Sequence, residues 1–405
     1  MKNIVWITLI AVLLAGIASP AGAAIDPNQA VVTGSNKFAL ELYGRIEDKQ
    51  GNLFLSPYSV STALAMTAAG ARGQTEKQMM DTLFATSLKS EQVHKSFGEI
   101  IKQLNAAGEK GGFELTIANA LWGQEGYKFL PDYLNLVKAE YGGNLQEVDF
   151  VKHTEEARKT INAWVEQKTK DKIKELIKPG ILDPMVRLVL TNAIYFKGKW
   201  AVQFKPEQTK EMPFNLLNGE KINTPMMHQT GNFGYTEIND VQAIEMPYVS
   251  NDLSMVILLP KKFDGVKDLE KELTADKLAD WLTKIHKREV QVLFPRFKMT
   301  SEFKLANVLG LMGMTDAFSG EADFSGMTGK RGLFISAVIH KAYVEVNEEG
   351  TEAAAATGVT MHATSIGEPP PVFKADHPFI FLIRDNHTES ILFMGRLENP
   401  AVNRE

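Results

Sequence analysis

An α+β fold in one large domain is what this sequence predicts, and three features predict it. Helical spacing dominates the first half of the chain, extended apolar runs dominate the second, and no regular strand–helix–strand alternation or Pro/Ser/Gly-rich linker divides them. The 405 residues are 44 % hydrophobic, 9 % aromatic and 23 % charged, a globular composition that excludes whole-chain disorder, collagen and coiled coil. Lys and Arg number 44 against 49 Asp and Glu, a net charge of −5. No long block of like charge occurs, so nothing argues for a nucleic-acid partner. The absence of Cys excludes a disulfide scaffold, a thiol nucleophile and a Cys-ligated metal, and leaves stability to a packed core.

The chain opens with Lys2, an apolar stretch from Ile4 to Ile17 broken only by Thr8, and the small-residue pattern Ala21-x-Ala23. This predicts a signal peptide over 1–23 cleaved after Ala23, a secreted or periplasmic destination, and a single domain over 24–405. A transmembrane anchor is the alternative; the stretch falls short of the ~20 residues a span needs, and no basic stop-transfer follows, so no membrane association is expected after cleavage. Residues 36–47 predict a helix, with Phe38, Ala39, Leu42, Tyr43 and Ile46 on one face. Residues 59–69 are almost wholly apolar or small and predict a buried helix stopped at Gly70. Helical spacing returns at 92–104, 155–169 and 302–311; strands are predicted at 113–122, 187–196, 253–259, 290–294, 333–346 and 378–384.

Enzyme motifs are nearly absent. There is no G-x-S-x-G, H-E-x-x-H, P-loop or G-x-G-x-x-G. Ser301-Glu302-Phe303-Lys304 matches S-x-x-K without its companion motifs, and the alternative is a helix start with Ser301 as cap. The eight His are scattered, with no pair at helical spacing, which gives no metal site. Asn386-His387-Thr388 is a glycosylation sequon. No catalytic residue and no cofactor is implied.

Segment 348–371 carries the most information. Glu352 to Ala356 could form a helical turn and loop. Read at alternate positions, Thr351, Ala353, Ala355, Thr357, Val359, Met361 and Ala363 are all small or apolar, the period of a strand with one buried face. No Pro interrupts 349–368, and no charge follows Glu352 until Glu368, so every N–H is free for a ladder. Gly350, Gly358 and the run Pro369-Pro370-Pro371 equally allow an exposed loop. A segment suited to both states is a candidate conformational switch.

These residues, with five further blocks, resemble the serpin family over essentially all of 36–400. Asn52 to Val60 resembles its second helix start, Thr191 to Trp200 its central strand and turn, and Val338 to Val346 the strand leading into the hinge. Asp376 to Ile383 and Ile391 to Arg396 resemble its C-terminal strands. The resemblance implies three β-sheets, about nine helices and an exposed reactive-centre loop over about 348–371. It implies a monomeric suicide-substrate inhibitor of serine proteases, which traps the acyl-enzyme by inserting its cleaved loop into the central sheet. A smooth hinge is required, and Glu348, Gly350, Thr351, Glu352, Ala353, Ala354, Ala355, Ala356 and Thr357 supply it. The family spacing from Gly350 puts the reactive bond at Thr364–Ser365; counting back from Pro378 shifts it by a few residues, because 365–378 is longer than usual. A small β-branched Thr364 suits an elastase-like or subtilisin-like protease. Ser56, Asn192 and His340 match the shutter, and Trp200 and Arg296 the breach, where Arg296 is expected to pair with Glu348. A glycosaminoglycan cofactor is not expected, because Lys95, Lys102 and Lys110 alternate with Glu91, Glu99 and Glu109. A non-inhibitory serpin serving as carrier, chaperone or storage protein is the alternative; a spoiled hinge would mark it.

Overall fold

Asp26 opens the first helix, its carboxylate accepting from the Asn28 amide at 3.0 Å ahead of a helix-compatible Pro27. A computed structural model describes residues 26–109, 111–351 and 369–402. The expected signal segment 1–23, Lys110, the hinge residues Glu352–Thr357 and the bond Thr364–Ser365 lie outside the described residues.

Along the chain come α1 (Pro27–Ile46), β1 (Leu53–Leu55), α2 (Pro57–Ala68), α3 (Gly73–Thr82), α4 (Ser90–Glu109), β2 (Phe113–Gln124), α5 (Pro131–Tyr141), β3 (Asn144–Val148), α6 (Thr154–Lys168) and β4 (Leu188–Lys199). The strand-rich half adds β5 (Lys210–Asn215), β6 (Lys221–Ile238), β7 (Val241–Pro247), β8 (Leu253–Pro260), α7 (Val266–Glu272), α8 (Ala275–Thr283), β9 (His286–Pro295) and β10 (Phe297–Lys304). It ends with α9 (Ala306–Leu311), α10 (Ser325–Thr328), β11 (Ala337–Val346), β12 (Gly350–Thr351), β13 (Val372–Lys374), β14 (Phe379–Asp385) and β15 (Ile391–Leu397).

One sheet runs β10-β11-β4-β2-β3, with β12 attached to β4. The other runs β1-β15-β14-β8-β7-β6-β9-β13, with β5 attached to β6. The expected second and third sheets are hydrogen-bonded into one, because the 18-residue β6 pairs with β5 at its start and β7 at its end. The fold is α+β, as the sequence predicts.

Between the sheets lies α2, buried at every position. Ser56 caps it, accepting from the Ser59 amide, and Pro57 fixes its first turn. On the opposite face of the smaller sheet α6 packs Ala157, Ile161 and Val165 onto Ala118, Trp122, Val189 and Ile339, a second core.

The helix predicted at 302–311 begins only at Ala306; residues through Lys304 continue β10. Ser301 and Phe303 point inward and pair with Ala342 and His340. Ladder formation over eight pairs outweighs local helix preference there. Ser301 therefore caps no helix; its hydroxyl accepts from the Phe54 amide at 3.1 Å. Lys304 lies on the outer face, so Ser301 and Lys304 cannot form a nucleophile–base pair.

Candidate functional site

The central feature of the smaller sheet is the seam between β4 and β11. The two strands are parallel neighbours, in register from Ala337 opposite Val189 to Tyr343 opposite Tyr195. Beyond Val346 the chain turns through Asn347 and re-enters as β12, now antiparallel to β4, with Gly350 opposite Lys199 and Thr351 opposite Gly198. Thr351 is completely buried, and its hydroxyl lies 3.0 Å from that of Tyr248. Gly350 has φ +147°, and a Cβ there would stand 2.0 Å from the Gly198 carbonyl oxygen. Only glycine permits this approach to β4.

At this end of the seam the Trp200 ring stacks on Tyr248, centroids 4.8 Å apart. Its indole donates to the Asn347 carbonyl at 3.0 Å, and its amide donates to the Glu349 carbonyl at 2.9 Å. The buried Glu348 carboxylate accepts from Arg296 Nε at 2.6 Å and from the Thr209 hydroxyl, and the Phe204 amide donates to the Glu348 carbonyl at 2.9 Å. Arg296 and Glu348 are thus paired, and Trp200 stands beside them.

Halfway down the seam Ser56, Asn192 and His340 meet. His340 pairs with Asn192 across β11 and β4, and Asn192 with Asn119 across β4 and β2. The Ser56 amide donates to His340 Nε2 at 3.0 Å, so the ring proton lies on Nδ1 and is donated to the Asn192 amide oxygen. The Asn192 amide group donates to Ser59 Oγ at 2.6 Å and to Asn119 Oδ1, and Ser59 Oγ donates to Asn119 Oδ1 at 3.1 Å. Ser56 Oγ donates to the Leu392 carbonyl at 2.6 Å, tying the cluster to the second sheet. Complete burial pushes the His340 pKa down to about 3, opposed in part by the hydrogen bond to Asn192, so the ring is neutral at neutral pH.

Sequence reasoning missed Ser59, Asn119, Tyr248 and Thr209. Asn119 had a legible signal, being the polar residue on the core-facing side of an apolar strand. Tyr248 and Thr209 come from distant loops and had none. The front of the seam is covered by the segment after α6: Lys341 Nζ donates to the Lys174 carbonyl at 2.8 Å, and Lys172 lies over the Tyr195 and Tyr343 rings at 5.9 and 5.8 Å. The sequon residue Asn386 accepts from Ser254 at 2.7 Å and donates to the Asn251 carbonyl at 2.9 Å.

Two sheets with a central parallel seam, entered at one end by the start of a long connecting segment, define the serpin architecture. The family model described as Serpin (serine protease inhibitor) matches residues 33–400, and the chain belongs to the serpin family. Leukocyte elastase inhibitor of Xenopus laevis is 44 % identical over 373 residues, covering 90 % of this chain and 97 % of the relative. Leukocyte elastase inhibitor of Homo sapiens is 42 % identical over 378 residues, covering 90 % and 98 %. The crystal structure of human thyroxine-binding globulin superposes with a TM-score of 0.85 at 32 % identity, over 93 % of this chain and 100 % of that chain.

These comparisons correct the expected destination. The leukocyte elastase inhibitors to which the chain is similar are intracellular members of the family that lack signal peptides. The reading of 1–23 as a cleaved signal, and with it a secreted or periplasmic localisation, is therefore withdrawn. A short apolar stretch followed by small residues fits a signal peptide without being specific to one.

Proposed function

We propose that this serpin is a suicide-substrate inhibitor of serine proteases with an elastase-like or subtilisin-like target. The observation that carries the reading is β12: the hinge has begun an antiparallel pairing on β4, at the end of a seam whose two strands are parallel. Each residue further along the hinge would pair one position further back along β4. That register brings Ala353 opposite Phe196, Ala355 opposite Ile194, Thr357 opposite Asn192 and Val359 opposite Leu190. Those β4 residues are buried, and the hinge residues meeting them are the small or apolar set of the period-2 pattern.

In this mechanism the serine Oγ of the protease attacks the Thr364 carbonyl carbon. An ester forms, the Thr364–Ser365 amide breaks, and the Ser365 nitrogen leaves with a proton. The freed hinge then extends β12. Insertion parts β4 from β11 but gives each a new antiparallel partner, so the sheet gains a ladder, at ~1 kcal/mol per hydrogen bond. Separating Asn192 from His340 breaks the central bond of the polar cluster, and the Thr357 hydroxyl arrives between them, able to donate to one and accept from the other. The names of the Xenopus laevis and Homo sapiens relatives and the small side chain at Thr364 support the elastase-like target. Glu348, paired with Arg296 outside the seam, acts as the fixed pivot, and a 1:1 monomer–protease complex is the functional unit.

The test is incubation of the full chain with pancreatic elastase and with subtilisin. A denaturation-resistant adduct of inhibitor plus protease, and a released peptide beginning at Ser365, are expected. Cleavage with no adduct and no rise in melting temperature would overturn the reading in favour of a non-inhibitory role.

A further inference from the structure

The two ends of the connecting segment meet the sheets differently. At the hinge end β12 has begun a ladder on β4. At the exit end β13 pairs in parallel with β9 over three residues, Val372 opposite Gln291, Phe373 opposite Val292 and Lys374 opposite Leu293. β9 starts further upstream, at His286, and His286, Lys287, Arg288 and Glu289 are exposed. Among the described residues β6 pairs with one edge of that stretch and no strand pairs with the other. An open edge of this kind is a template for a neighbouring chain.

The ladder ends because of the residues just before β13. In a parallel ladder alternate residues turn both backbone groups towards the neighbouring strand. The Ala375 amide donates to the Leu293 carbonyl and the Gln291 amide to the Pro371 carbonyl, at 3.0 and 2.9 Å. Residues 371, 373 and 375 are therefore the ones that face β9. The Val372 carbonyl points the other way and accepts from Gln242 Nε2 at 3.3 Å. Carried upstream, the same alternation asks the amides of residues 371 and 369 to donate to the carbonyls of Glu289 and Lys287. Both residues are proline and have no N–H to give. Pro370 stands between them, where an amide would point away from β9.

We propose that Pro369 and Pro371 form a ladder stop: by withholding two amides they keep the exit side of the reactive loop from zipping onto β9, and so leave the reactive bond free for a protease. The proposal rests on the inhibitory reading above, which puts that bond a few residues upstream of Pro369. Without the stop, pairing would run towards the bond, and each new rung would shorten the free segment a protease must grip. Molecules docked in this way are not competent for attack, so the apparent rate falls with the competent fraction. Pro369 and Pro371 are positioning residues for encounter, not for insertion.

The experiment compares the full chain as wild type, as the double variant Pro369→Thr/Pro371→Thr, which restores both amides facing β9, and as Pro370→Thr, which restores one facing away. Amide hydrogen exchange of the uncleaved protein reads the ladder, and progress curves with pancreatic elastase read presentation. The double variant should gain exchange protection at residues 369, 371 and Glu289. Its association rate constant should fall about tenfold, with the stoichiometry of inhibition unchanged. Pro370→Thr should gain no protection and keep the wild-type rate. Both variants lose proline stiffness, so equal slowing in the two would overturn the stop. A double variant without new protection, or protected but unslowed, would overturn it as well. If wild type forms no covalent adduct with elastase or subtilisin, the inhibitory reading fails, and exchange still decides whether the two prolines end the ladder.

Discussion

The two sheets are closed by opposite chemistry. In the larger sheet Phe54, Phe381 and Phe393 stack across β1, β14 and β15, with centroids 5.3 and 5.8 Å apart. In the smaller sheet the middle of the core-facing side is a row of polar groups, Asn119, Asn192 and His340, held by Ser56 and Ser59. Ring stacking is lost as soon as strands separate. A hydrogen bond can be handed to a new donor or acceptor at little net cost, whereas leaving it unmade is expensive. The contrast teaches which sheet the proposed insertion would open: the one whose centre is held by exchangeable bonds.

The largest effect expected from breaking this contrast comes at the seam entrance. Thr351→Arg would force a charge into a site that is fully buried, which halts insertion. The protein should be cleaved at an ordinary rate with almost no covalent adduct, seen as a rise of stoichiometry well above one. Next is Phe54→Ala in the aromatic sheet, expected to cost ~3–5 kcal/mol in urea unfolding while leaving the stoichiometry at temperatures where the chain is folded. His340→Ala strands the Ser56 amide and the Asn192 oxygen and should cost ~1–3 kcal/mol. That loss should be larger in the uncleaved than in the cleaved protein, so the gap between their melting temperatures should widen.

The smallest effect is the response to acid. Burial holds His340 at about 3 and His94 at about 4, below the ~6.5 of an unfolded chain. The folded state therefore binds fewer protons. Stability is full above pH ~6.5 and declines as pH falls towards the folded values, by up to ~1.4 kcal/mol per unit for each histidine. Urea midpoints measured between pH 7 and 4.5 should show this slope, and His340→Gln should reduce it by one proton. An unchanged slope would mean His340 is protonated in the fold.

Much of this was legible in residues, for physical reasons. The strands 113–122, 187–196, 253–259 and 378–384 are two-sided or heavily buried, so their apolar runs announce them. β6 was not predicted, because its Gly, Pro, Asn and Thr residues form a half-exposed strand with weak alternation. The end of β10 reads as helix in isolation and is extended because β11 supplies a ladder partner. At the site, the resemblance supplied Ser56, Asn192, His340, Trp200, Arg296 and Glu348, and the fold brings them into two clusters. Asn119 and Ser59 needed the strand register, and Tyr248 and Thr209 needed the loop packing, neither of which local sequence carries. The sequence destination, read from residues 1–23, is the one expectation the comparisons reverse.

The close approach at Gly350 bears on how such a protein changes over generations. Its neighbours are backbone atoms of Gly198 and Lys199, which cannot swing aside as a side chain would. A single methyl group there bars the hinge from β4 while touching nothing that either core depends on. On the proposed mechanism, folding and inhibition can therefore be separated by one codon. Under the insertion mechanism proposed above, a lineage that fixed Gly350→Ala would keep the architecture and lose the trap, leaving a stable scaffold open to other uses.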